Sequence, residues 1–163
     1  MTCKHIMNIR NANFQDWGHG EKFGGRIAWL GYEMGSGKLG FNITEIAPGK
    51  CAFPCHAHIV NEELFFVLEG SGTIRIGAEN HEIKQGDFIS IPPGRELAHQ
   101  IKNDSDTPLR FIAVSTMEYP EIAEYPDSGK FGVMDATPRR AGPGNILKFY
   151  KIDSDVEYWE GEG

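Results

Sequence analysis

The residues with the clearest chemical potential lie in two short stretches of a 163-residue chain. The first runs Pro48-Gly49-Lys50-Cys51-Ala52-Phe53-Pro54-Cys55-His56-Ala57-His58 and continues through Ile59-Val60-Asn61-Glu62 to Glu63. On a strand, His56 and His58 project from one face with Cα atoms ~7 Å apart, close enough for two imidazoles to meet one ion. Glu63 follows a short turn and starts the next strand, from which its carboxylate reaches back to the same centre. The second stretch, Gly86-Asp87-Phe88-Ile89-Ser90-Ile91-Pro92-Pro93-Gly94, leads to His99, with Asn103 beyond it. If the two hairpins face each other across a barrel, His99 adds a fourth donor from the opposite wall. Three imidazoles and one carboxylate form a borderline-hard set that suits one divalent ion per chain, whether Mn, Fe, Ni, Co or Zn. Coordination positions left open would take water or substrate oxygens, with the metal as Lewis acid or template.

Positioning four such groups requires short strands and tight turns, and the chain is written that way. Apolar runs alternate with turn residues at intervals of about ten residues, as in sandwiches and barrels. The expected strands are Arg26–Leu30, Leu39–Ile46, Glu63–Glu69, Thr73–Ile76, His81–Ile83, Asp87–Ile91, Ala98–Lys102 and Leu109–Ser115. Gly35-Ser36-Gly37, Pro48-Gly49, Gly70-Ser71-Gly72, Gln85-Gly86-Asp87 and Pro92-Pro93-Gly94 punctuate them. No long segment has helical periodicity, so the expected class is all-β and any helix is short. One domain spans residues 1–163, with a barrel core over about 26–116 and a wrapping extension over 117–163. Residues 1–22 read as polar and irregular, with Trp17 as an anchor. Glu118-Tyr119-Pro120-Glu121 and Glu124-Tyr125-Pro126-Asp127 predict an ordered, extended loop, because the residue before a proline avoids helical backbone. A last strand is expected over Ile146–Ile152.

Leu64-Phe65-Phe66-Val67-Leu68 is apolar on both faces, unlike a half-solvated antiparallel strand. The expected cover for its outer face is a second subunit in a homodimer, or else the N-terminal segment. Phe65 and Ile101 share strand parity with Glu63 and His99, so both are candidates to line a substrate cavity as well as core residues. His5, His19 and His81 read as solvated, Asp87 as a turn residue, and Asn103 as a partner for loop backbone groups. Cys3, Cys51 and Cys55 are an odd set, and the latter two read as small apolar side chains.

Composition narrows the partner classes. Sixteen Lys and Arg against 23 Asp and Glu give a formal charge of −7, and Arg139–Arg140 is the sole basic doublet. Nucleic acid and anionic membranes are thus poor partners, and a small-molecule substrate is expected. No apolar run approaches the ~18–20 residues of a spanning helix, and Met1 to Arg10 lacks a signal-peptide core, so the expected location is the cytoplasm.

These two stretches resemble the paired motifs of the cupin superfamily, G-x5-HxH-x3-4-E-x6-G and G-x5-PxG-x2-H-x3-N. His56, His58, Glu63 and Gly70 match the first, with Gly49 one residue early. Gly86, Pro92, Gly94, His99 and Asn103 match the second, except that Arg95-Glu96-Leu97-Ala98 puts four residues where two are usual. The resemblance implies a double-stranded β-helix, or jelly-roll barrel, with N- and C-terminal extensions. The longer loop and the Tyr-Pro-Asp element also resemble stand-alone bacterial cupins that are often labelled sugar-phosphate isomerases by analogy. A metal-dependent isomerase on a sugar or sugar phosphate is the first function implied, with Arg95 as candidate phosphate contact and no residue assigned as catalytic base. A quercetinase-like Fe- or Ni-dependent dioxygenase is the second. Glu63 argues against the thiol dioxygenase subtype, and the His-x-His start against the oxoglutarate-dependent one. A non-catalytic small-ligand binder is the third.

Overall fold

Apolar residues alternating with turn formers fold here as antiparallel strands, as the computed structural model, which describes residues 4–136 and 145–163, makes plain. In chain order, a 3₁₀ turn at Ile9–Asn11 precedes β1 (Gln15–His19), β2 (Phe23–Ala28) and a one-turn helix α1 (Leu30–Glu33). Then come β3 (Leu39–Ile46), β4 (Ala57–His58), β5 (Glu63–Glu69), β6 (Ser71–Ile76), β7 (Glu79–Lys84) and β8 (Phe88–Ile91). A 3₁₀ turn at Arg95–Leu97 leads to β9 (His99–Lys102), β10 (Leu109–Thr116) and β11 (Glu121–Tyr125). A further 3₁₀ turn at Pro126–Ser128 precedes β12 (Lys130–Met134) and β13 (Leu147–Lys151). The class is all-β. Among the described residues, no helix is long and apolar enough to cross a membrane.

Six strands pair in the order β1-β2-β3-β10-β5-β8, and β7-β6-β9 form a second layer. The core lies between these layers, where Ile46, Val67, Leu109 and Phe111 meet Ile74, Ile83 and Ile101. Phe111, Ile74, Leu109 and Val67 are almost fully buried, and each contributes roughly 1.5–3 kcal/mol of transfer free energy. Gly70 makes the tight β5–β6 corner possible. Its φ of +82° suits glycine, and a Cβ there would stand 2.5 Å from the Pro108 carbonyl oxygen. The third sheet, β13-β12-β11-β4, carries the C-terminal residues onto the edge of the site.

Several expectations shift. β2 starts at Phe23 and stops at Ala28, and the residues read as its end enter α1 instead. The irregular N-terminal stretch contains β1, a mostly exposed edge strand whose half-buried Trp17 stacks on Phe53 at 4.9 Å. The loop expected over the two Tyr-Pro elements contains β11. The outer face of β5 finds no cover from the N-terminal strands, because β1 lies at the opposite edge of the sheet from β8. There Phe66 packs on Phe88 at 4.4 Å, and Phe88 is 72% exposed. Cys51 and Cys55 are buried and unpaired, and burial raises both thiol pKa values. Asn103 is fully buried and bonds the Ile46 and Thr107 carbonyls (2.9 and 2.8 Å) and the Ser105 amide (3.0 Å), the loop role expected of it. His5, His19 and His81 are exposed. Cys3 and the Arg139–Arg140 doublet lie outside the described residues.

Candidate metal centre

Backbone pairing brings the candidate ligands together. His56 and His99 form an isolated antiparallel bridge, exchanging two hydrogen bonds: His56 N–H to His99 O (3.1 Å) and His99 N–H to His56 O (2.8 Å). Only Ala57 and His58 form a strand here, so His56 is held by this bridge rather than by a continuous ladder. The two extra residues before His99 are absorbed by the 3₁₀ turn at Arg95–Leu97, and Gly94 N–H is tied to His58 O at 2.8 Å. Glu63 opens β5 directly opposite Ile91 of β8.

The side chains converge on one oxygen. Glu63 Oε2 lies 2.9 Å from His99 Nε2, 3.4 Å from His58 Nε2 and 4.0 Å from His56 Nε2. Donor atoms of His56, His58 and Glu63 all lie within 4.8 Å of one another. Donors at ~2.1 Å from a shared ion stand ~3.0–4.2 Å apart, so this spacing fits one metal. The nitrogens are also prepared for it. His56 Nδ1 donates to Pro54 O at 2.8 Å and His99 Nδ1 faces Leu97 O at 3.2 Å. A carbonyl only accepts, so the proton sits on Nδ1 and Nε2 presents its lone pair. The 2.9 Å approach of His99 Nε2 to a carboxylate oxygen then requires a proton or a cation between them. Both ring nitrogens of His58 are buried without a hydrogen bond, and carboxylates face them on either side, Glu63 at 3.4 Å from Nε2 and Glu121 at 3.8 Å from Nδ1.

Electrostatics separate the histidines. Burial pushes His56 down to about 4, although Glu63 opposes it. Burial also acts against charge on His58, but Glu121 and Glu63 on its two sides carry it up to about 9. Burial disfavours charge on Glu63 as well, yet His58 and His99 beside it hold its carboxyl well below the usual range. One carboxylate thus stays ionised at the centre of the cluster, as a ligand must.

Two adjoining cavities meet at this cluster. The larger, about 420 Å3, is walled by Trp29, Tyr32, Phe41, Met117, Tyr119 and Met134 and reaches His58, Glu63 and Glu121. The smaller, about 190 Å3, holds Phe65, Ile101, Phe53 and Phe111 around His56, His58, Glu63 and His99. Phe65 and Ile101 therefore line the inner cavity while also belonging to the core. Arg95 is 74% exposed on its side chain, pairs with Glu124 at 2.7 Å and lines neither cavity. Among the described residues, no Lys or Arg lines either one.

Two site residues escaped the sequence reading. Glu121 on β11 is 2% exposed and sits 3.8 Å from His58 Nδ1. Tyr125, at the end of the same strand, stacks on His56 at 5.9 Å and is backed by Phe149 of β13. The sequence marks them only by their place beside the prolines of the two Tyr-Pro elements, Glu121 after Pro120 and Tyr125 before Pro126.

The comparisons agree with this geometry. Residues 42–115 match the cupin domain family. An uncharacterized protein of Methanocaldococcus jannaschii is 38% identical over 64 residues, covering 39% of this chain and about half, 50%, of that relative's length. A solved structure from Acidithiobacillus ferrooxidans, provisionally named a sugar phosphate isomerase, superposes with a TM-score of 0.81 at 21% identity, covering 94% of this chain and 96% of that one. A structure from Silicibacter pomeroyi, named a sugar phosphate isomerase from a cupin superfamily, gives 0.76 at 22% identity over 95% and 98%. At these identities the structural matches speak for the fold. The matched segment over residues 42–115, the sandwich and the histidine–carboxylate cluster agree with one another: the chain carries a stretch similar to the cupin domain and shares the fold of these structures.

Proposed function

We propose that this chain is a metal-dependent enzyme acting on a small oxygen-bearing substrate, with one divalent ion held by His56, His58, Glu63 and His99. The observation that carries the reading is the convergence of three imidazoles on Glu63 Oε2 beside a cavity of about 420 Å3. When bound, the ion supplies Lewis acidity that polarises substrate oxygens. The chain supplies the rest. Pro54 O and Leu97 O hold two imidazoles with Nε2 inward, Glu63 keeps a fixed negative charge among them, and the Tyr125 and Phe65 rings limit water at the cluster. An isomerase-type reaction on a sugar or sugar phosphate is the reading supported by the names of the two structural relatives.

A second reading has its own support. The aromatic and methionine walls of the larger cavity suit an apolar ring better than a phosphate, which favours a quercetinase-like oxygenation.

Elemental analysis of purified protein, then proton NMR of aldose and ketose pairs with and without phosphate, tests the first reading. Interconversion that His58→Ala abolishes together with the metal supports it. Oxygen uptake with Fe- or Ni-loaded protein on a flavonol or catechol assigns the second instead. Tight ligand binding without turnover makes the chain a binding module, and protein that holds no metal overturns both enzymatic readings.

A further inference from the structure

Glu121 is a buried carboxylate contributed from outside the paired motifs. Oε1 accepts the Ile59 and Val60 amides at 3.0 and 3.3 Å, and Oε2 accepts the Asn61 amide at 2.9 Å and the Asn61 side-chain amide. It therefore clips the turn that links His58 to Glu63. So many donors hold a carboxylate ionised and make it a poor proton acceptor. β11, which carries Glu121, pairs with β4 so that Ala123 lies opposite His58.

The three histidines differ in what stands behind them. Backbone carbonyls two residues upstream serve the Nδ1 atoms of His56 and His99. His58 has no such carbonyl. Its Nδ1 faces Glu121 Oε2 at 3.8 Å, while its Nε2 faces Glu63. A metal-bound histidine needs an acceptor on its other nitrogen to fix the ring and the tautomer.

We infer that Glu121 is the positioning residue for His58: its ionised carboxylate is the hydrogen-bond acceptor that keeps the proton on Nδ1 and commits Nε2 to the centre shared with His56 and Glu63. This rests on the metal-binding reading above. It makes the C-terminal extension a working part of the site rather than a wrapping.

The probe is Zn2+ alone, titrated against a competing chelator with full-length protein. Glu121→Gln keeps size and removes charge, and the expected loss of Zn2+ affinity is ~10–100-fold. Asn61→Ala is the control for the structural clip, since it loosens the same turn and leaves the carboxylate beside His58. It is expected to lower the thermal midpoint of the metal-free protein while keeping Zn2+ affinity within about threefold. Nitrogen-resolved NMR of the Zn2+-loaded wild type reads the tautomer directly: a protected His58 Nδ1–H, shifted downfield, is expected, and the shift is lost in Glu121→Gln. Equal affinity losses in both variants, an unaffected Glu121→Gln, or a wild-type His58 carrying its proton on Nε2 overturns the inference. Should Glu121→Gln fail to fold, the wild-type tautomer alone decides. A wild type that binds no Zn2+ removes the metal reading itself, an outcome distinct from these.

Discussion

A row of charges crosses four adjacent strands, and its centre offers a quantitative test. Glu45 of β3 stands opposite Arg26 of β2 and Arg110 of β10, and Arg110 in turn stands opposite Glu69 of β5. Glu45 Oε1 receives Arg26 Nε and Nη2 at 2.9 and 2.6 Å, and Oε2 receives Arg110 Nε and Nη2 at 3.1 and 2.5 Å. Two forks thus grip one carboxylate whose side chain is 11% exposed, while the arginines are 48% and 32% exposed. Charge-assisted hydrogen bonds are worth ~1.5–3 kcal/mol where water is excluded, but exposed pairs retain only ~0.2–1 kcal/mol. With both arginines half in solvent, Glu45→Gln should cost ~1–2 kcal/mol, or ~2–8 °C in thermal midpoint for a domain of this size. Burial alone would raise the Glu45 pKa, but Arg110 and Arg26 overrule it and hold the value below the ordinary 4.5. A depressed carboxylate contributes its stability above the unfolded-state pKa and loses it as pH falls through the folded one. The gap between wild type and Glu45→Gln should therefore be full at pH 7 and close below about pH 4. Calorimetric or circular-dichroism melts from pH 7 to 3 measure it. A gap that is absent at pH 7, or that persists unchanged at pH 3, refutes the assignment.

Two further expectations concern binding and assembly. Zn2+ at a hundredfold excess over its dissociation constant should stabilise the protein by ~2.7 kcal/mol, a rise of ~5–11 °C that EDTA reverses and His58→Ala lacks; identical melts with and without metal would count against the site. A homodimer built on the outer face of β5 places Phe66 and Phe88 at its centre, so Phe88→Asp should convert a dimer to a monomer in light scattering, and a monomeric wild type would exclude the interface.

The parts that could be read in advance are those where hydrophobic pattern, turn chemistry and ligand type agree. β3 and β5 begin and end at the expected residues, β3 because Gly37 and Pro48 bracket its apolar run and β5 because a polar Asn61-Glu62 turn precedes it and Gly70 ends it. His56, His58, Glu63 and His99 stood out because their spacing has a direct consequence on strands. β11 was hidden for a physical reason. Its buried positions are Glu121 and Ala123, while Ile122 is 37% exposed, so polarity points to the wrong face. The glutamate is buried because amides and His58 await it, a demand created by other segments. β1 was missed likewise, since an edge strand with one half-buried tryptophan carries almost no apolar alternation.

The doubly hydrogen-bonded pair of His56 and His99 has a consequence for how this protein can diversify. Because the pair clamps the end of the Arg95–Ala98 segment by its backbone, the position of His99 is insulated from the length of the loop before it. Lengthening such a loop costs little, only ~0.6 kcal/mol for each doubling. The segment is then an evolvable margin: residues can be gained or lost between Gly94 and His99 while the inward face of the histidine stays in register.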